Sequence, residues 1–254
     1  MHWIAAAAIA AVLAASPIEG TDLGDFLKGT PTEDQFLAKA GDDQVFGLGG
    51  KDRLDGGPGN DRLHGDGTCP PNAVRPDECT DKDDRTGDED VIRGGDGDDV
   101  LLGGRGNDLL DAGAGMDSVS GDAGNDTIDG GAGDDEIDGG TGLDEIRGGE
   151  GNDWIATGAG SDRIKGGHGD DLIASESGND RIDAGSGDDQ VTSRGGRDTI
   201  EGGFGADKID SGSGDDVIDV EDGERDTVDC GPGRDRVTAD RKDRLKHCER
   251  VNRR

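Results

Sequence analysis

Carboxylates at a fixed interval are the residues of this chain best placed to do chemistry. An aspartate recurs every nine residues at Asp90, Asp99, Asp108, Asp117, Asp126, Asp135, Asp144, Asp153, Asp162, Asp171, Asp180, Asp189, Asp198, Asp207 and Asp216. The same interval runs earlier through Asp25, Asp34, Asp43, Asp52 and Asp61. Paired carboxylates can act as the acid and base of a glycosidase, but a strict period among glycines suits a hard cation better. Calcium takes six to eight oxygen ligands at about 2.3–2.6 Å, and glycine turns leave backbone carbonyls unobstructed. The candidate ligands are Asp43, Asp52, Asp61 and the fifteen periodic aspartates just named from Asp90 to Asp216. With them go the turn carbonyls of Gly95, Gly97, Gly104, Gly106, Gly131, Gly133, Gly140, Gly142, Gly149, Gly151, Gly167 and Gly169. Magnesium fits less well, because it demands tight octahedral geometry and holds its waters.

The elements that must hold these carboxylates follow from the same period. Two residues after each aspartate stands an aliphatic side chain, as at Leu101, Leu110, Ile128, Ile137 and Ile146. A short strand such as Thr127-Ile128-Asp129 turns its middle residue to one face and its neighbours to the other. Nine residues then make half a coil, and units two repeats apart stack at about 4.8 Å. The expected fold is all-β, a flattened parallel β-roll with a core one side chain thick. An ion would bridge aspartates one coil apart, Asp99 to Asp117 or Asp126 to Asp144, giving roughly ten to fifteen calcium ions. One buried aliphatic residue per nine does little against the entropy of ordering nine residues, and stacked carboxylates repel. Ion binding is therefore expected to supply the folding free energy.

Composition agrees. Of 254 residues 50 are glycine, aromatic residues make up 2%, and 60 acidic residues face 27 basic ones for a net charge of −33. Low hydrophobicity with high charge marks a chain that does not collapse unaided. Such a chain repels nucleic acid and anionic membranes, so its expected partners are cations.

The chain divides into 1–20, an export segment and linker; 21–64, an N-terminal cap and first repeats; 65–89, an insertion; 90–219, the main roll; and 220–254, irregular repeats and a basic cap. Ile4 to Ala15 is uncharged and alanine-rich, about the length of a signal-peptide core and too short to span a membrane. An uncleaved anchor is the alternative, since no Lys or Arg precedes it. The insertion holds Cys69, Pro70, Pro71, Pro76 and Cys79, and reads as an excursion closed by a Cys69–Cys79 disulfide or as a partner-binding loop. After Asp216 the aspartates slip to Asp226, Asp235 and Asp243, and a Cys230–Cys248 disulfide is expected to staple the cap. Even cysteine usage and the export segment agree on a secreted, extracellular location.

The unbroken motifs Gly94-Gly95-Asp96-Gly97-Asp98-Asp99, Gly130-Gly131-Ala132-Gly133-Asp134-Asp135, Gly148-Gly149-Glu150-Gly151-Asn152-Asp153 and Gly166-Gly167-His168-Gly169-Asp170-Asp171 resemble the RTX, or hemolysin-type, calcium-binding repeat. The resemblance spans about 25 to 245. It implies a right-handed parallel β-roll with calcium held by the sixth-position aspartate and turn carbonyls. The pattern departs from the family at Asp122, Glu176 and Arg194, where the second glycine is replaced, and is weakest in Ser193-Arg194-Gly195-Gly196-Arg197-Asp198. Members of this family commonly leave by type I secretion attached to a toxin, protease or lipase, whereas this chain is similar to stand-alone secreted members.

No His-Glu-x-x-His, Gly-x-Ser-x-Gly or P-loop occurs. His2, His64, His168 and His247 have no ligand-spaced partner and read as surface residues. The chain is thus expected not to be an enzyme, and to be a monomer with a structural or surface-associated role. The alternative is an adhesin or partner-binding module that uses the 65–89 loop or an outward face. There Trp154 and Leu172, two repeats apart, stack, with Val100 and Leu102 on the same side.

Overall fold

Glycine-rich turns force the chain to reverse every nine residues, and the computed structural model shows what those reversals build. It describes residues 16–67 and 87–253. Among these described residues twenty-five strands run from β1 (Ile18–Glu19) to β25 (Arg250–Arg253). Odd-numbered strands form a 13-stranded sheet and even-numbered strands a 12-stranded sheet, each strand lying beside the one two places earlier. Every pairing between strands is parallel, and there is no helix among the described residues. The chain is a parallel β-solenoid of nine-residue repeats.

The register is the predicted one, with each repeat lying on the repeat two places earlier. In the first sheet β11 (Thr127–Ala132) sets Ile128 beside Ile146 of β13 (Glu145–Glu150). In the second, β12 (Glu136–Asp138) sets Ile137 beside Ile155 of β14 (Trp154–Ala156). The aliphatic residues from both sheets form one continuous core in which Leu101, Leu110, Ile137, Ile146 and Ile155 are fully buried. Their strand neighbours alternate outward, so β13 buries Ile146 while Glu145 and Arg147 face solvent.

Residues 68–86, and the expected Cys69–Cys79 disulfide with them, lie outside the described residues, as does the expected export core at 4–15. The roll closes across the insertion without loss of register. Leu54 pairs with Ile92, and Leu63 with Leu101, as though the inserted residues were absent. At the other end the slip is absorbed in the turns, with Ile209 beside Val228 and Val228 beside Leu245. The Cys230–Cys248 disulfide is present, with Cα atoms 5.2 Å apart.

His64 departs from expectation. It is buried, and its ring stacks on Phe46 with centroids 4.3 Å apart. No helix of the described residues is long and apolar enough to cross a membrane.

Candidate metal centres

The flattened roll has two edges. On the first edge the chain passes from the first sheet to the second, through turns such as Gly130–Asp135. On the second edge it returns, through turns such as Gly139–Asp144. Each turn ends in the periodic aspartate, and from Asp43 to Asp216 none of these is more than 3% exposed. They point into the roll.

What holds them is a ladder along each edge. Oδ1 of each aspartate accepts the backbone N–H of the aspartate one coil earlier: Asp99 donates to Asp117 at 2.7 Å, Asp117 to Asp135 at 2.9 Å and Asp126 to Asp144 at 2.9 Å. The ladder bridges the insertion, with Asp52 donating to Asp90 at 2.8 Å and Asp61 to Asp99 at 2.7 Å. It also outlasts the aspartates, because Asp235 donates to Glu249 Oε2 at 2.9 Å. Sequence reasoning missed Glu249. Only a carboxylate standing out of phase after Asp235 marked the position.

The second carboxylate oxygen is left over. Oδ2 is buried without a hydrogen-bond partner at Asp43, Asp52 and Asp61, at every step from Asp90 to Asp171, and at Asp189, Asp216 and Asp235. Burial pushes Asp90 up to about 8, Asp52, Asp99, Asp126, Asp135 and Asp189 to about 7, and Asp61, Asp108, Asp144 and Asp171 to about 6. The N–H bond on Oδ1 opposes this only in part, and stacked carboxylates such as Asp108 beside Asp90 add to it. A buried carboxylate with an empty oxygen is costly unless a positive charge meets it.

Backbone oxygens share its surroundings. A Cβ built on Gly130 would lie 2.6 Å from the Gly148 carbonyl oxygen and 2.7 Å from Asp135 Oδ2, so both oxygens crowd the first glycine of the turn. The first-position carbonyl of the next coil is thus the oxygen beside Oδ2, a contribution the sequence reading did not name. Fourth-position carbonyls approach the other side. A Cβ on Gly142 would lie 3.0 Å from Asp144 Oδ1 and overlap the Gly124 carbonyl. The carbonyls of Gly95, Gly97, Gly106, Gly131, Gly133, Gly140, Gly142, Gly149, Gly151, Gly167 and Gly169 all face the α-carbon of the matching glycine in the next coil. Gly104 is stacked instead under Asp122, which keeps the left-handed conformation at φ 66°.

This donor set suits calcium. Among the described residues no three His, Cys, Asp or Glu side chains converge, so a cation would draw on stacked carboxylates and turn carbonyls together. The oxygen-only chemistry, the free Oδ2 atoms and the glycine cradles all fit such an ion.

Three features depart from the repeating site. In the N-terminal cap Asp25 and Asp34 meet hydroxyls: Thr21 donates to Asp25 Oδ2 from N at 2.6 Å and from Oγ1 at 2.9 Å, and Thr30 does the same for Asp34. At the fifth position a second, exposed ladder runs the opposite way, with Asn125 N–H donating to Asn107 Oδ1 and Asp170 N–H to Asn152 Oδ1, both at 2.8 Å. Thirdly, the free Oδ2 atoms skip Asp180 and Asp198 on the second edge, and Asp207 and Asp226 on the first. At Asp207 and Asp226 burial still raises the carboxyls, to about 6 and about 7. At Asp198 the oxygen has a partner, the Ser193 hydroxyl.

Known proteins can be set beside this geometry. A family model described as the RTX calcium-binding nonapeptide repeat (4 copies) matches residues 19–54, 28–63, 85–119, 111–146, 147–182, 169–200, 183–218 and 192–225. No curated protein matches the chain.

Proposed function

The chain belongs to the RTX calcium-binding nonapeptide repeat family, and from that premise we propose that it is a secreted protein whose β-roll folds on binding calcium and serves a structural, surface-associated role. The observation that carries the calcium reading is the file of buried Oδ2 atoms without partners. The ligands in this reading are the periodic aspartates from Asp43 to Asp216 with the turn carbonyls stacked beside them, except at the step set out in the next subsection. Roughly ten to fifteen ions follow from one site per pair of stacked turns. Bound calcium supplies the positive charge that lets these carboxyls ionise in the interior, and the chain's own turns hold them one coil apart. No catalytic role is assigned to any residue. Export by the segment at 4–15 and an extracellular, calcium-rich setting complete the reading.

Titration of the chelated chain with calcium, followed by circular dichroism and calorimetry, tests it. The β signal is expected to appear with heat of binding at a stoichiometry above one. The same β signal in excess chelator at neutral pH would overturn it.

One observation favours a second reading, a partner-binding module. Trp154 and Leu172 are paired in register on the outward face of the second sheet, each 40% exposed. An exposed apolar strip is a contact site in many proteins. Trp154→Ser is then expected to weaken association with the cell surface, and unchanged association removes this reading.

A further inference from the structure

The geometry points to an interruption in the calcium file along the second edge. We propose that the step between turns 175–180 and 193–198 takes no ion, because a hydroxyl of the chain satisfies the carboxylate oxygen that a cation satisfies elsewhere. This rests on the calcium reading above.

The two turns depart from the repeat together. Their first positions are Ser175 and Ser193 rather than glycine, both fully buried. Ser193 Oγ donates to Asp198 Oδ2, so a proton is aimed at the oxygen whose lone pair an ion would need. Their second positions are Glu176 and Arg194, which lack the left-handed backbone found at the second glycine of neighbouring turns. Arg194 Nη1 instead reaches Glu176 Oε1 at 3.3 Å, joining one turn to the next. This pair is exposed and adds little stability, but it places a positive charge of the chain's own across the step.

The chain uses the same substitution elsewhere. Thr21 and Thr30 hydroxyls close on Asp25 and Asp34 in the cap. By contrast, the Thr157 and Ser211 hydroxyls stand close enough to Asp162 and Asp216 to oppose the effect of burial, yet outside hydrogen-bonding geometry, so those Oδ2 atoms remain free. The hydroxyls at 157, 175, 193 and 211 form a column, one per coil, and only Ser193 completes the bond to its aspartate. At the same level the first edge keeps the full site. Gly167 and Gly185 hold φ of 123° and 114°, and Asp171 and Asp189 keep free Oδ2 atoms.

Native mass spectrometry of the full chain in calcium counts the ions. Asp189→Asn, which has a site on either side, is expected to lose at least one ion more than Asp198→Asn, which keeps the ladder acceptor and borders the interrupted step. Restoring the glycines with Ser193→Gly and Arg194→Gly together is expected to add one ion. Loss of as many ions in Asp198→Asn as in Asp189→Asn overturns the inference. So does a folded double-glycine variant with no added ion, and that variant decides the matter should Asp198→Asn fail to fold. A wild-type chain holding no calcium would instead overturn the calcium reading itself.

Discussion

Asp135 accepts the backbone N–H of Asp117 through Oδ1 at 2.9 Å, while its Oδ2, equally buried, has no partner. One carboxylate thus does two separable things. One oxygen joins two coils without any ion, and the other is held free for a cation.

Substitution separates the two. Asp135→Asn keeps an acceptor for the Asp117 N–H and removes the charge, so it is expected to bind fewer ions but, in chelator near pH 4 where the ion-free roll forms, to be as stable as the wild type. Asp135→Ala leaves that N–H buried and unpaired, costing about 1–3 kcal/mol both in calcium at neutral pH and in chelator near pH 4. Thermal melts under both conditions distinguish them. Equal behaviour of the two variants would mean that the ladder bond contributes nothing.

Proton uptake gives the ion-free roll an acid preference. The folded carboxyls stand raised, Asp90 to about 8 and Asp99, Asp126 and Asp135 to about 7, against about 3.9 in an unfolded chain. The folded state therefore binds more protons, and its stability is fully present below about pH 4 and lost as pH rises through about 6 to 8. With chelator present, β structure is expected to increase from pH 8 down to about pH 4. Calcium affinity is expected to fall over the same range as protons compete. Circular dichroism showing more β structure in chelator at pH 8 than near pH 4 would contradict this.

Much of this site was legible in the period of nine. Aspartate and aliphatic residue recur together, so the stacking of Ile128 on Ile146 and the pairing of Asp117 with Asp135 were readable. The direction of the carboxylate was not, because nothing in spacing says whether an aspartate in a turn faces water or a backbone N–H. Nor was the way the roll is joined across the insertion, where the bond from Asp61 to Asp99 closes a single coil. Glu249 escaped because the last rung changes residue type as well as spacing. His64 reads as outward by alternation, and only the structure shows that outward face covered, its ring stacked on Phe46.

The fourth glycine of the turn is never replaced from Gly97 to Gly214, although the first and second are. At Gly133 φ is 132° and a Cβ would overlap the Gly115 carbonyl. Gly223 has φ 97° with nothing within 4 Å of such a Cβ. Gly223→Ala therefore reports backbone strain alone, about 1–3 kcal/mol, and Gly133→Ala is expected to cost more by the overlap. Melting temperatures in saturating calcium compare them, and equal losses would show that close stacking of the turns is unimportant.

The carboxylate ladder also gives the roll a grain. The N–H of each periodic aspartate is completed by the coil that follows it, until Asp243 accepts from Asp226 on the first edge and Glu249 from Asp235 on the second. Shortening the protein from its N-terminus leaves every remaining rung closed. Shortening it from its C-terminus always leaves an open one. A chain that emerges N-terminus first therefore carries an unfinished end until its last turns arrive, and Asp243 and Glu249 act as the two latches that shut the edges of the stack.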